Sequence, residues 1–204
     1  MIFPTSGLYV ITQPENNSIV QTLEAVEQAL QGGAVVVQYR DKNPIDAEQL
    51  ASRLLTLCHQ YDAPLIINDA IDLAAHINAD GVHLGKEDGL IQQAKTQLGE
   101  SAIIGVSCYN ALTRAVEAEQ QGATYAAFGR FFPSDTKPLA APADIETLSL
   151  ARQQLKLPLV AIGGILPSNG KALLTAGADF LAVVGGVFNE NPRQSAQNYG
   201  DLFN

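Results

Sequence analysis

The segment "QGGAVVVQYRDK", residues 31–42, decides the fold. Its glycine pair, Gly32-Gly33, stops a helical pattern in which Ile19, Leu23, Val26 and Leu30 share one face. The valine run behind the glycines is short and β-branched, as a buried strand requires. The run then breaks into charge at Arg40, Asp41 and Lys42. Helix, glycine, buried strand and polar exit make one unit. The glycine-to-strand joint recurs in "QGATYAAF" and "AGADFLAVV", which is the connection that a helix followed by a strand needs.

Working outward, apolar runs recur along the whole chain without a linker between them. Strands are expected at Gly7–Thr12, Ala34–Arg40, Pro64–Asn68, Gly81–Leu84, Ile103–Ser107, Tyr125–Gly129, Leu159–Gly163 and Phe180–Val184. Segments of helical spacing, such as "AEQLASRLLTLCHQY" and "ALTRAVEAEQQG", lie between them. Buried strands that alternate with helices pair in parallel through right-handed crossovers. The simplest closure is a (β/α)8 TIM barrel forming a single α/β domain over residues 1–204. An open doubly wound sheet is the alternative.

Composition sets outer bounds. The 204 residues are 47% apolar and 16% charged, well inside the globular range. A net charge of −9 argues against a nucleic-acid surface but leaves room for a locally basic pocket. No apolar run approaches the roughly 18 residues of a membrane span, and the first residues do not read as a signal peptide. Cys58 and Cys108 form neither a disulfide framework nor a zinc spacing, so a cytoplasmic protein is expected.

A barrel places its active site where strands end. The unusual polar residues fall there: Gln38, Arg40 and Lys42 after the second strand, Asn68 and Asp69 after the third, Asp88 after the fourth. Ser107 ends the fifth; Ser134, Asp135, Thr136 and Lys137 follow the sixth. Asp69 and Asp88, without a neighbouring His–Cys pair, suit a hard cation such as Mg2+ that binds carboxylates together with substrate phosphates. Each acid could equally cap the helix that follows it. Arg40, Lys42 and Lys137 are suited to clamp a diphosphate. The glycine pairs in "AIGGI" (161–165) and "VVGGVF" (183–188) permit close backbone approach to a phosphate. One diphosphate site, one monophosphate site and Mg2+ on a single rim suggest the joining of two phosphorylated substrates. His83, inside the fourth strand, reads as a satisfied core histidine, and Cys108 as a packed small side chain.

The segments "GLYVIT", "VQYRDK", "LIINDAIDLA", "ADGVHLGKED", "IIGVSCY", "FGRFFPSDTK", "VAIGGI" and "AVVGGVF" together resemble the thiamine-phosphate synthase family from about Gly7 to Phe188. The resemblance implies a barrel that condenses hydroxymethylpyrimidine diphosphate with thiazole phosphate, releasing pyrophosphate. It implies a catalytic set of Arg40, Lys42, Ser107 and Lys137, with Asp69 and Asp88 holding Mg2+. Gln38, Tyr39, Arg40, Asp41, Lys42, Asn68, Ser107 and Lys137 would meet the pyrimidine substrate. Ser134, Asp135, Thr136, Gly164, Val184 and Gly185 would meet the thiazole phosphate. The partners implied are these small molecules, with a homodimer as the assembly to test. Four positions depart from the family pattern: Lys86 replaces a frequent Gln, Ser134 a Thr and Gly185 a Ser, while Cys108 stands near a frequent His. A thiazole tautomerase of the same barrel family and a barrel without activity are the rival readings.

Overall fold

The computed structural model describes residues 1–14, 18–85, 90–133 and 141–204. Eight parallel strands close into a barrel in sequence order. They are β1 (Gly7–Ile11), β2 (Ala34–Tyr39), β3 (Leu65–Asn68), β4 (Gly81–Leu84), β5 (Ile103–Tyr109), β6 (Tyr125–Gly129), β7 (Leu159–Ile162) and β8 (Phe180–Val183). The helices between them are α1 (Ile19–Gln31), α2 (Ala47–Gln60), α3 (Ile71–Ile77), α4 (Leu90–Leu98), α5 (Leu112–Gln120), α6 (Ile145–Gln154) and α7 (Pro167–Thr175). A four-residue helix α8 (Gly185–Phe188) and then α9 (Pro192–Gly200) follow β8. The open doubly wound sheet is thereby excluded.

Local chemistry sets these limits. Ser18 opens α1 with a reciprocal capping box: Gln21 N donates to Ser18 Oγ at 3.2 Å and Ser18 N donates to Gln21 Oε1 at 2.9 Å. Asp46 caps α2 by accepting from Gln49 N at 3.1 Å. Four strands stop one residue short of the expected C-terminal end, at Ile11, Tyr39, Ile162 and Val183. At β7 the cause is Gly163, whose φ of +103° leaves the extended region. β5 instead runs two residues beyond Ser107, through a register irregularity against β6 between Ser107 and Tyr109. Helix α8 was not expected from the sequence.

Alternation along the strands divides the core into two layers. Tyr9, Ile11, Val36, Ile66, Ile103, Tyr125, Ala127, Val160, Phe180 and Ala182 pack together inside the barrel. The opposite faces, Leu8, Val37, Leu65, Val82, Ile104 and Phe128 among them, join α1–α7 in a larger outer layer. The register fixes which residues share a level: Tyr9 pairs Val36, Asn68 pairs His83, and Gly105 pairs Tyr125. Phe3 enters the interior beside Tyr125, with ring centroids 4.7 Å apart and planes within 7°, and its ring lies 4.9 Å from that of Phe180.

Large rings inside a closed barrel need small residues opposite them. A Cβ on Gly105 would run into the Tyr125 ring, and one on Gly81 into the Ile103 carbonyl. Gly105→Ala is therefore expected to lower stability by about 1–3 kcal/mol through overpacking. Thermal unfolding followed by circular dichroism would show a lower Tm, and an unchanged Tm would mean that the ring has free room to move.

Candidate active site

The C-terminal rim is built from β2 outward. Thr12, just past β1, donates its N–H to the Gln38 carbonyl at 2.9 Å. Arg40 N donates to Thr12 Oγ1 at 3.0 Å, and that hydroxyl donates to the Arg40 carbonyl at 3.2 Å. A threonine side chain thus extends the β1–β2 pairing by one step and fixes the backbone of Arg40. Arg40 falls on the same strand face as Gln38, which is buried inside the barrel. The loop beyond is shaped by Asp41, whose Oδ1 accepts from Asn43 N at 2.9 Å. Lys42 is exposed beside it.

Tyr39 alternates to the other face and sits in the outer layer, away from the barrel interior. Its hydroxyl is buried and has no hydrogen-bond partner among the described residues. Burial, with the charges of Asp41 and Asp46, pushes this phenol up to about 12.

At the end of β3, the geometry of Asn68 and Asp69 decides whether Asp69 is a helix cap. Helix α3 has Ala70 as its N-cap and no side-chain cap hydrogen bond, so Asp69 does not cap it. Asp69 is held at φ 59°, a left-handed conformation that Asp tolerates but most residues avoid, and Asp69 N donates to the His83 carbonyl at 2.9 Å. Asn68 Nδ2 donates to Asp69 Oδ2 at 2.8 Å. The Asp69 carboxylate stays exposed, and Gly85, just past β4, brings no side chain against it: a Cβ there would lie 3.4 Å from Asp69 Oδ1. A solvent-facing carboxylate beside an amide, with one oxygen open among the described residues, is an oxygen-donor set of the kind a hard cation takes. Among the described residues no cluster of three or more His, Cys, Asp or Glu side chains converges as a metal site. Asp88 and Lys86 lie outside the described residues.

Ser107, half-buried on β5, is held on two sides. Its hydroxyl meets His83 Nε2 at 2.9 Å, and its carbonyl accepts from Arg114 Nε at 2.7 Å. Arg114, on α5, also donates through Nη2 to the Gly85 carbonyl at 2.5 Å, which ties the ends of β4 and β5 together. His83, expected to be a satisfied core histidine, has both ring nitrogens in hydrogen bonds, the second to Tyr125 OH at 3.0 Å. Cys108 points the other way into the outer core, where burial pushes its thiol up to about 12 and the Arg114 charge partly offsets this. Burial, with the Asp80 charge, does the same for Cys58.

The glycines after β7 and β8 have more than one use. A Cβ on Gly163 would strike the side chain of Arg130, and one on Gly164 (φ +63°) would strike the Phe132–Pro133 backbone. The segment after β6 therefore lies directly on this pair, with Phe132 N donating to the Gly163 carbonyl at 3.0 Å. A Cβ on Gly186 would meet the Tyr199 hydroxyl, which donates to the Ile165 carbonyl at 2.9 Å. Val184 and Gly185 lead into α8, the short extra helix that barrels of this kind place near a phosphate. Ser134, Asp135, Thr136 and Lys137 lie outside the described residues. Sequence reasoning missed Thr12, Arg114 and the Tyr9–Tyr125 pair. The available signal was the inward register of two tyrosines, whose hydroxyls need partners when buried.

A closed parallel barrel whose polar groups collect at one rim defines a (β/α)8 enzyme. A family model described as thiamine monophosphate synthase matches residues 8–187. The chain is 50% identical over 186 residues to a thiamine-phosphate synthase of Alcanivorax borkumensis, covering 90% of this chain and 86% of that protein. It is also 50% identical over 192 residues to one of Nitrosococcus oceani, covering 93% and 88%. Among solved structures, a thiamine phosphate pyrophosphorylase from Pyrococcus furiosus matches with a TM-score of 0.86 at 36% identity, over 97% of this chain and 95% of that one. The chain belongs to the thiamine monophosphate synthase family.

Two outcomes test the assignment of side chains to layers. Tyr39→Phe removes a buried hydroxyl that makes no bond among the described residues, so Tm should stay level or rise by the equivalent of about 1 kcal/mol, with turnover unchanged. A fall in turnover would assign the phenol a partner in the working enzyme. Because raised pKa values keep both thiols protonated through neutral and mildly alkaline pH, iodoacetamide should label neither cysteine in the native protein and both after unfolding, read by mass spectrometry.

Proposed function

We propose that this chain joins hydroxymethylpyrimidine diphosphate to a thiazole phosphate, forming thiamine phosphate and releasing pyrophosphate. The observation that carries the reading is Asp69. It is held in a left-handed backbone conformation, linked to Asn68, released from helix capping and opposite a glycine, just past the strand next to the one that Arg40 and Lys42 follow. Left-handed backbone at residues other than glycine is enriched at ligand clamps and active sites.

In this mechanism the C–O bond between the pyrimidine methylene and the diphosphate breaks, and the electron pair leaves with pyrophosphate. The aminopyrimidine stabilises the resulting cation, and the thiazole nitrogen supplies the pair that forms the new C–N bond. Arg40 and Lys42 hold the diphosphate oxygens and stabilise the charge that grows on them, with Lys137 assigned to the same task. Asn68 donates to a phosphate oxygen, while Gln38 and Ser107 orient the pyrimidine. Gly164, Val184 and Gly185 offer backbone N–H groups to the thiazole phosphate, alongside Ser134–Thr136. Asp69, with Asp88, would hold Mg2+, which supplies charge neutralisation on the diphosphate when bound. The thiazole is itself the nucleophile, so no protein nucleophile is required. The hydrogen-bonded state of both His83 nitrogens fits that division of labour better than it fits a tautomerase base. The reading includes a cytoplasmic setting, which two free, buried cysteines support. Among the described residues no helix is long and apolar enough to cross a membrane.

Purified protein mixed with both substrates and Mg2+ should release thiamine phosphate and pyrophosphate in equal amounts, and EDTA should abolish this. Asp69→Ala should lower kcat on the order of 100-fold or more while the thiazole phosphate still binds. Absence of product from the unaltered protein would sink the synthase reading.

A further inference from the structure

A line of hydrogen bonds crosses the barrel interior beneath the rim. Gln38 Nε2 donates to Tyr9 OH at 2.8 Å, Tyr9 OH lies 2.7 Å from Tyr125 OH, Tyr125 OH lies 3.0 Å from His83 Nδ1, and His83 Nε2 lies 2.9 Å from Ser107 Oγ. The two tyrosines are buried, 1% and 0% exposed, and burial raises both phenols well above the usual range, so each keeps a proton to donate.

Counting protons gives the line a direction. The Gln38 amide nitrogen can only donate, so the Tyr9 oxygen accepts. The Tyr9 proton then goes to Tyr125, and the Tyr125 proton goes to His83 Nδ1. A His83 that accepts at Nδ1 carries its hydrogen on Nε2 and donates it to Ser107 Oγ. In the reverse order Tyr9 OH would accept from Gln38 and Tyr125 together, leaving its own proton without an acceptor on this line. A buried donor left so costs about 1–3 kcal/mol.

We infer that this line runs one way, from Gln38 to Ser107, making His83, Tyr125 and Tyr9 positioning residues that turn the Ser107 hydroxyl proton outward as a donor to the pyrimidine substrate. The substrate's identity rests on the proposed function; the direction of the line does not. With its oxygen already accepting from His83 and its carbonyl taken by Arg114, Ser107 has a hydroxyl proton left for a ligand acceptor. The interior tyrosines thereby act on a site they do not touch.

The test begins with the ligand-free protein. Long-range 15N–1H correlation spectra, with His83 assigned by comparison with His83→Asn, should show a neutral ring protonated at Nε2 and accepting at Nδ1. A ring protonated at Nδ1, or at both nitrogens, at mildly alkaline pH would overturn the inference and turn the Gln38 amide the other way. In Tyr125→Phe, the Nδ1 signal should move to that of a nitrogen with no donor. The dissociation constant for hydroxymethylpyrimidine diphosphate, measured by calorimetry, should rise about 10-fold, with thiazole phosphate binding unchanged. Equal loss of both ligands, or of neither, would also overturn it; should that variant unfold, the tautomer in the unaltered protein decides alone. Failure of the pyrimidine compound to bind the unaltered protein would count against the proposed substrate while leaving the tautomer result standing.

Discussion

Eight strands that close in sequence order leave a narrow interior, and what fills it decides what can sit above. Here the filling is aromatic and partly polar. Phe3, Tyr9, Tyr125 and Phe180 occupy the barrel, and Gly105 gives up its side chain to make room for the Tyr125 ring. The Tyr9–Tyr125 hydrogen bond lies at the centre of this arrangement, because each phenol is buried and must find a partner there. Gln38 and His83 satisfy the remaining valences, and Ser107 is fixed through His83. The floor of the site is therefore part of the core, and the same bonds that satisfy buried groups also orient the polar residues of the rim.

The framework was legible in the sequence because its signals are local. Glycine after a helical face, a short β-branched run and a polar exit each act within a few residues, and they located all eight strands. The rim was legible for the same reason: Arg40, Asn68, Asp69 and Ser107 interrupt apolar runs, and barrel geometry gathers strand ends. What escaped depends on contacts between distant segments. Nothing near Tyr9 announces Tyr125, 116 residues away. Helix α8 has too few residues to show a period, and the β5 extension depends on an irregular pairing with β6. Tyr39 stood in an attractive run beside Gln38 and Arg40, yet strand alternation sends its side chain to the outer layer.

The capping ambiguity at Asp69 could be resolved only in three dimensions. From sequence, an Asp ahead of a helix reads as a cap; the backbone angles and the bond from Asn68 show a carboxylate otherwise engaged. The glycines invert that lesson. Gly163 and Gly164 were read as leaving space for a phosphate, and part of that space holds the chain's own segment after β6. Glycine in a barrel loop thus reports a close approach without saying whether backbone or ligand makes it.

Arg114 carries a consequence for how such barrels can be rearranged. Its guanidinium reaches inward from α5 to the carbonyls of Gly85 and Ser107, joining the exits of the fourth and fifth strands. The midpoint of a (β/α)8 chain is the natural seam for exchanging halves between related proteins. In this molecule that seam is stitched by a side chain from the second half holding a carbonyl of the first. A chimaera that kept every rim residue but imported a foreign fifth helix would inherit the chemistry without the brace that aligns it.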